Sequence, residues 1–352
     1  MRKNSLILTV VAVAVVAILI AAITVGCTSA QVTGGQGVVK YQGETTAAAS
    51  AAAETTAQGG GPVWTVALMW AGTDSPYMPP WIKSTEDTIT KLGHKWTSFD
   101  AQWDATKQNT LMDDAITMKV NMILLMAVDP KGVLPAVKKA HDAGIPIMVI
   151  NSPIDKEGDQ YIAGYTGVDT VAQGKVQAGL QVEAMNNEGK LAVVEGQPGF
   201  SATIDYDNAL DAVLKEKNSK IEIVGRQTAH WDVHEASNVA QDFITRFPNL
   251  NGIYPMDDYM ATGVIVSLKE AKYQPGQIKV TGVGGISEVL ALIKEGWIYG
   301  TVIQSPIAEG ALEAKRAIDF LKSGKDKLDP FSLPLDNPTL TAKNVDQFTE
   351  KY

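Results

Sequence analysis

Aromatic rings set beside carboxylates and amides recur in four short stretches of this chain, and these are the residues best suited to chemistry. Trp70 leads into Ala71-Gly72-Thr73-Asp74-Ser75-Pro76-Tyr77-Met78, and Phe99 into Asp100-Ala101-Gln102-Trp103-Asp104. Gln227 leads into Thr228-Ala229-His230-Trp231-Asp232, and Tyr254 into Pro255-Met256-Asp257-Asp258-Tyr259. Flat apolar rings beside such groups suit sugars and polyols, whose C–H faces stack while their hydroxyls need directed acceptors. They also suit a cation held over an aromatic face. Tryptophans are highly buried on average, so the stronger ligand contacts are Trp103 and Trp231, which sit between polar neighbours.

Other spacings lead away from catalysis. His230 and His234 are four apart, as metal ligands on one helical turn would be. However, Asp232-Val233-His234-Glu235 reads as a capping box with Asp232 at the N-cap, which puts His230 before the helix. No metal site is expected. Gly282-Val283-Gly284-Gly285 lacks the third glycine of a dinucleotide fingerprint and any Walker lysine, so it reads as a tight turn. The adjacent pairs Asp113-Asp114 and Asp257-Asp258 point different ways in either regular structure and make poor acid–base partners. There is no Gly-x-Ser-x-Gly elbow. A binding protein with no cofactor is expected, not an enzyme.

Presenting those loops takes an alternation of strand and helix that starts at Val63. Apolar runs predict strands over 63–70, 96–99, 122–128, 145–150 and 161–165, then over 191–194, 221–224, 252–254, 278–283 and 299–303. Helical spacing falls over 77–92, 106–118, 133–143, 170–187, 203–217, 233–247, 256–271 and 287–295. Apolar strands without clear alternation imply sheets covered on both faces, hence parallel and doubly wound. Two consecutive runs of the pattern imply two such domains, with ligand beyond the carboxyl ends of the strands.

The chain has 352 residues, with 30 Lys+Arg against 39 Asp+Glu and a net charge of −9. That acidic balance excludes a nucleic-acid partner, because phosphate attraction supplies most non-specific affinity there. The single cysteine, Cys27, excludes an internal disulfide framework and a cysteine-clustered zinc site. Arg2 and Lys3, an aliphatic run over 6–23 and Thr24-Val25-Gly26-Cys27 read as a secretory signal. The last residues resemble the lipobox of prokaryotic lipoproteins, although Thr24 stands where Leu, Val or Ile is usual. Lipid attachment at Cys27 follows from that resemblance, and a retained helical anchor is the alternative; both place the body outside the cytoplasm. Residues 28–62, rich in Ala, Thr, Ser and Gly, read as a flexible tether.

From about Val63 to the end, the chain resembles the periplasmic binding proteins of the ribose/galactose type, the ligand receptors of ABC importers. The resemblance is carried by Asp74-Ser75-Pro76-Tyr77, by Ala140-His141-Asp142-Ala143-Gly144-Ile145-Pro146-Ile147 and by Gly252-Ile253-Tyr254-Pro255-Met256-Asp257-Asp258. Gly300-Thr301-Val302-Ile303-Gln304-Ser305-Pro306 and Leu340-Thr341-Ala342-Lys343-Asn344-Val345-Asp346 add to it. Ala127-Val128-Asp129-Pro130-Lys131-Gly132-Val133 looks closest to the rhamnose/autoinducer-like branch.

The resemblance implies a type I periplasmic binding fold: two doubly wound parallel-sheet, Rossmann-like lobes joined by three crossings near 167–169, 304–306 and 329–332. It divides the chain into a signal peptide (1–26), a lipidated cysteine and tether (27–62), a first lobe (63–167 plus 306–330) and a second lobe (168–305 plus 331–352). Carried over position by position, the implied ligand contacts are Ser75, Tyr77, Met78, Trp103, Asn151, Asp205, Trp231, Asp257 and Gln304. The implied ligand is a small sugar, deoxysugar or polyol. Ile204 and Gly284 stand where an Arg and an Asp are usual, which removes bidentate sugar contacts, so a plain hexose or ribose is not expected and a small polyol, deoxysugar or other less polar ligand is favoured. The implied partner is an ABC permease, reached by a monomer; a chemoreceptor or histidine kinase is the alternative.

Overall fold

The central strands are buried at nearly every position, with no alternation of inward and outward side chains, as a sheet sandwiched between helices requires. The computed structural model describes residues 61–348, all within one compact unit. The expected signal, Cys27 and nearly all of the tether lie outside the described residues.

Two six-stranded sheets form. The first contains β1 (Thr65–Trp70), β2 (Lys95–Asp100), β3 (Met122–Leu125), β4 (Ile147–Asn151) and β5 (Gly164–Val168), in the order β5-β4-β3-β1-β2. The second contains β6 (Glu188–Glu195), β7 (Lys220–Thr228), β8 (Gly252–Pro255), β9 (Lys279–Gly284) and β10 (Gly300–Ile303), in the order β10-β9-β8-β6-β7. The two orders are the same. Each sheet is completed by a strand from the C-terminal segment: β11 (Ser332–Leu335) runs parallel to β5, and β12 (Thr339–Thr341) antiparallel to β10.

Helices α1 (Met78–Lys91), α2 (Ala105–Thr117) and α3 (Leu134–Asp142) cover the first sheet, joined late in the chain by α9 (Pro306–Ser323). Helices α4 (Thr170–Ala184), α5 (Ser201–Glu216), α6 (Val233–Arg246), α7 (Asp258–Glu270) and α8 (Ser287–Lys294) belong to the second body. The strand-to-helix turns are fixed by side-chain caps. Asp104, Asp169, Asp232, Asp257 and Ser305 each accept a backbone N–H from the first turn of the helix that follows. Gly324, at φ +64°, ends α9 in the left-handed conformation a side chain would resist.

Three differences from expectation have clear causes. The strand expected over 161–165 lies at Gly164–Val168, because the ladder to β4 pairs Met148 with Gly164 and runs on to Asn151 with Gly167. The strand expected to reach residue 128 stops at Leu125, where its pairing with β1 and β4 ends. The third crossing does not fall at 329–332. Ser332–Leu335 pairs with β5, so 331–335 stays with the first sheet, and the chain crosses between β11 and β12.

Candidate functional site

The carboxyl ends of both sheets face one cavity of ≈ 80 Å³. By the same measure a water molecule needs ~10–15 Å³, so the space takes a small molecule. Of the nine residues expected to meet ligand, eight line it: Ser75, Tyr77 and Met78 before and at the start of α1, Trp103 after β2, Asn151 ending β4, Trp231 after β7, Asp257 after β8 and Gln304 after β10. Asp205 does not. It lies on α5, where its carboxylate accepts the hydroxyl of Thr170, and Thr170 takes the place at the wall. Ile204 is 42% exposed and also lies outside the lining.

The two tryptophans are held by the same device. Ala101-Gln102-Trp103-Asp104 and Ala229-His230-Trp231-Asp232 each place two residues at positive φ, 55° and 59° in the first and 51° and 63° in the second, before the aspartate caps its helix. Bulky side chains resist that conformation by ~1–2 kcal/mol per residue, so the surrounding contacts must impose it. In both loops the alanine N–H is bonded to the neighbouring strand, Ala101 to the Trp70 carbonyl at 3.0 Å and Ala229 to that of Glu195 at 2.8 Å. In both, a glycine from that strand's own loop lies against the indole: Gly72 under Trp103 and Gly196 under Trp231. A Cβ on either glycine would fall well inside 3.0 Å of ring atoms. The loops differ in one respect: Trp103 Nε1 donates to Asp74 at 2.8 Å, whereas Trp231 Nε1 is buried without a protein partner among the described residues.

A buried carboxylate that sequence reasoning missed organises another part of the wall. Glu309, on α9, is fully buried. Its oxygens accept from the Tyr77 hydroxyl, from Gln304 Nε2 at 3.1 Å and from Asn151 Nδ2 at 3.2 Å. One side chain thus sets the orientation of three cavity residues drawn from three loops. One turn on, Glu313 accepts from Trp81 Nε1 at 2.8 Å and is also fully buried. Burial pushes both carboxyls up, and Glu313 is pushed further by the neighbouring Glu309.

The electrostatics are one-sided. No lysine, arginine or histidine lines the cavity among the described residues. Asp257 is half-buried at the wall, and desolvation there pushes its carboxyl up to about 8 against the lowering effect of the Met260 N–H. Its neighbour Asp258 serves the scaffold: fully buried, it accepts from Thr301 Oγ1 at 2.7 Å and from the backbone of Gly285 and Ile286, and titrates at about 6. Gly284, at φ +149°, lines the cavity beside this carboxylate, and a Cβ there would lie 3.0 Å from Asp258. The backbone conformation and that contact both disfavour a side chain at position 284. His230 Nδ1 pairs with Glu235 at 2.6 Å, so Glu235 turns away from the reciprocal half of the expected capping box.

Tyr259, from the fourth aromatic loop, also lines the cavity, as do Phe200, Tyr206 and Trp81, which were not anticipated. Phe200 caps α5, and its ring stands between the tryptophans, 5.4 Å from Trp103 and 6.4 Å from Trp231, edge-on to both. Aromatic faces opposite carboxylate and amide acceptors, with no positive charge nearby, suit a small neutral hydroxylated molecule and disfavour an anion.

A family profile described as a periplasmic binding protein domain matches residues 66–326. The chain is 30% identical over 270 residues to a xylitol-binding protein of Mycolicibacterium smegmatis, covering 75% of this chain and 74% of that one. It is 27% identical over 273 residues to a ribose import binding protein of Bacillus subtilis, covering 77% and 86%. Among solved structures, a Caulobacter myo-inositol binding protein bound to myo-inositol superimposes with a TM-score of 0.74 at 25% identity, covering 81% of this chain and 95% of that one. The chain belongs to the periplasmic binding protein family, and is a solute-binding protein rather than an enzyme.

Proposed function

We propose that this periplasmic binding protein captures a small neutral polyol, sugar or deoxysugar between its two sheet bodies and delivers it to the permease of an ABC importer. The observation that carries the ligand class is the lining itself: two tryptophans from equivalent loops, acceptors at Asp257, Asn151 and Gln304, and no cation among the described residues. In this reading Trp103 and Trp231 stack on C–H faces, while Asp257, Asn151, Gln304 and Ser75 meet hydroxyls. A ligand lacking the hydroxyl that meets Asp257 forfeits a contact to a desolvated carboxyl, which is the source of selectivity. The relatives that bind xylitol and ribose support the same class.

The lobes are 63–167 with 306–335, and 168–305 with 336–348, rotating about their three crossings as ligand enters and leaves. Cys27 carries the lipid that holds the body at the outer face of the cell membrane, and residues 28–62 form the tether. The test is a thermal-shift screen with xylitol, ribose, allose, myo-inositol and glycerol against gluconate and ribose 5-phosphate. A ligand at one hundred times its Kd stabilises by about 2.7 kcal/mol. Stabilisation by a neutral compound alone supports the proposal; stabilisation by an anion alone overturns it. Mass spectrometry of the membrane-extracted protein reads the lipid at Cys27 independently.

A further inference from the structure

Two adjacent residues of the second body reach across to the first. Phe200 precedes α5 and Ser201 opens it, in the loop after β6. The Phe200 ring meets Trp103 of the first body at 5.4 Å, nearly perpendicular at 79°. The Ser201 hydroxyl donates to the carbonyl of Pro153, beyond β4 of the first body, at 2.7 Å. Both residues are buried, at 3% and 6% exposure. Gly199, at φ +81°, turns the loop so that the two side chains leave it toward the first body. Neither Phe200 nor Ser201 belongs to a crossing, so these contacts join the bodies in addition to the chain connections.

We propose that Phe200 and Ser201 are positioning residues for ligand capture: a latch that holds the two bodies closed and keeps Trp103 and Trp231 facing across the cavity. The contacts involve no ligand atom, so the latch acts in the free protein as well. It rests on the binding reading above for its purpose, but its existence is measured without ligand. Because Phe200 stands edge-on between the indoles, it also keeps the space between them short. Release of ligand then requires breaking a ring contact and a hydrogen bond that have nothing to do with the ligand's own hydroxyls.

The experiment uses the full chain with Cys27→Ser, spin-labelled at Thr110→Cys on α2 and Asn238→Cys on α6, both exposed positions. Double electron–electron resonance without ligand reads the distance between the bodies. The expected result is a short-distance population that falls roughly threefold to tenfold in Ser201→Ala, and similarly in Phe200→Ala, as one net hydrogen bond or one aromatic pair predicts. Far-UV circular dichroism checks the fold, and Ser201→Ala, which removes a single oxygen, keeps the test alive if Phe200→Ala does not fold. Distance distributions that superimpose on those of the parent, or a parent with no short-distance population, overturn the latch. Neither result depends on which solute binds, so a failed ligand screen and a failed latch are told apart.

Discussion

Replacing Gly196 with alanine moves a wall of the cavity without replacing any residue proposed to meet ligand. A Cβ at Gly196 would lie well under 3.0 Å from Trp231 ring atoms, whereas ordinary contact begins at about 3.4 Å. The indole, 8% exposed and seated against this glycine, must therefore retreat by more than an ångström. A gap of ~0.5–1 Å already forfeits a quarter to a half of a dispersion contact, so most of a stacking interaction of ~0.5–1.5 kcal/mol is lost. The expected outcome is a Kd raised about twofold to tenfold, since 1.4 kcal/mol is tenfold. Overpacking lowers the stability of the fold by about 1–3 kcal/mol as well. Isothermal titration with the best neutral ligand of the screen reads the first quantity and urea denaturation the second. Gly179→Ala is the control, because a Cβ there meets nothing within 4 Å; its Kd should equal the parent's. A folded Gly196→Ala protein whose Kd stays within twofold of the parent refutes the assignment of Trp231 as a ligand-bearing wall.

Trp231→Ala and Asp257→Ala should each weaken binding at least tenfold, about 1.4 kcal/mol, with the fold retained by circular dichroism; unchanged calorimetric affinity removes the residue from the site. Glu309→Ala leaves the Tyr77, Gln304 and Asn151 donors without their shared acceptor, and should cost at least about 2 kcal/mol in denaturation while weakening ligand binding in the same variant. For pH, the folded value of Asp257, about 8, stands above an unfolded value of ~3.9. Its contribution is complete below the lower value and is lost as pH rises toward the upper one. Asp257→Asn keeps a capping side chain but no titrating proton, so ligand-free denaturation should show it gaining on the parent between pH 5 and 8. Parallel stability curves across that range would contradict the buried state of this carboxyl.

The parts of the fold that were legible in the chain are those where one physical rule acts alone. Apolar runs such as 66–70 and 147–150 needed no tertiary knowledge, and Asp232 announced the start of α6 by local capping chemistry. Six cavity residues were reachable because they stand in loops after strands, which is where an open α/β sheet exposes them, whereas Asn151 and Gln304 came only from the family resemblance. Glu309 was not legible, because an isolated glutamate in a helix reads as a solvated face, and only the packing of α9 onto α1 buries it. Phe200 follows Gln197-Pro198-Gly199, where nothing local says that a second body stands opposite. Asp205 looked equivalent to its neighbours until the helix turned it toward Thr170. Strands β11 and β12 are short and half exposed, so their membership is decided by the sheet edge available to them rather than by their own composition.

Those last strands have a consequence for how the protein is made. The first sheet receives its edge strand, and α1 its packing partner α9, only from residues beyond 305. Trp81 and its acceptor Glu313 are separated by 232 positions along the chain. A ribosome adding ~5–20 residues per second therefore emits the whole second body before the first can be sealed, an interval on the order of ten seconds. During that interval the nascent N-terminal half lacks the contacts that would lock it. The delay is built into the strand order itself: the N-terminal half stays open until the C-terminal segment that completes it has been made.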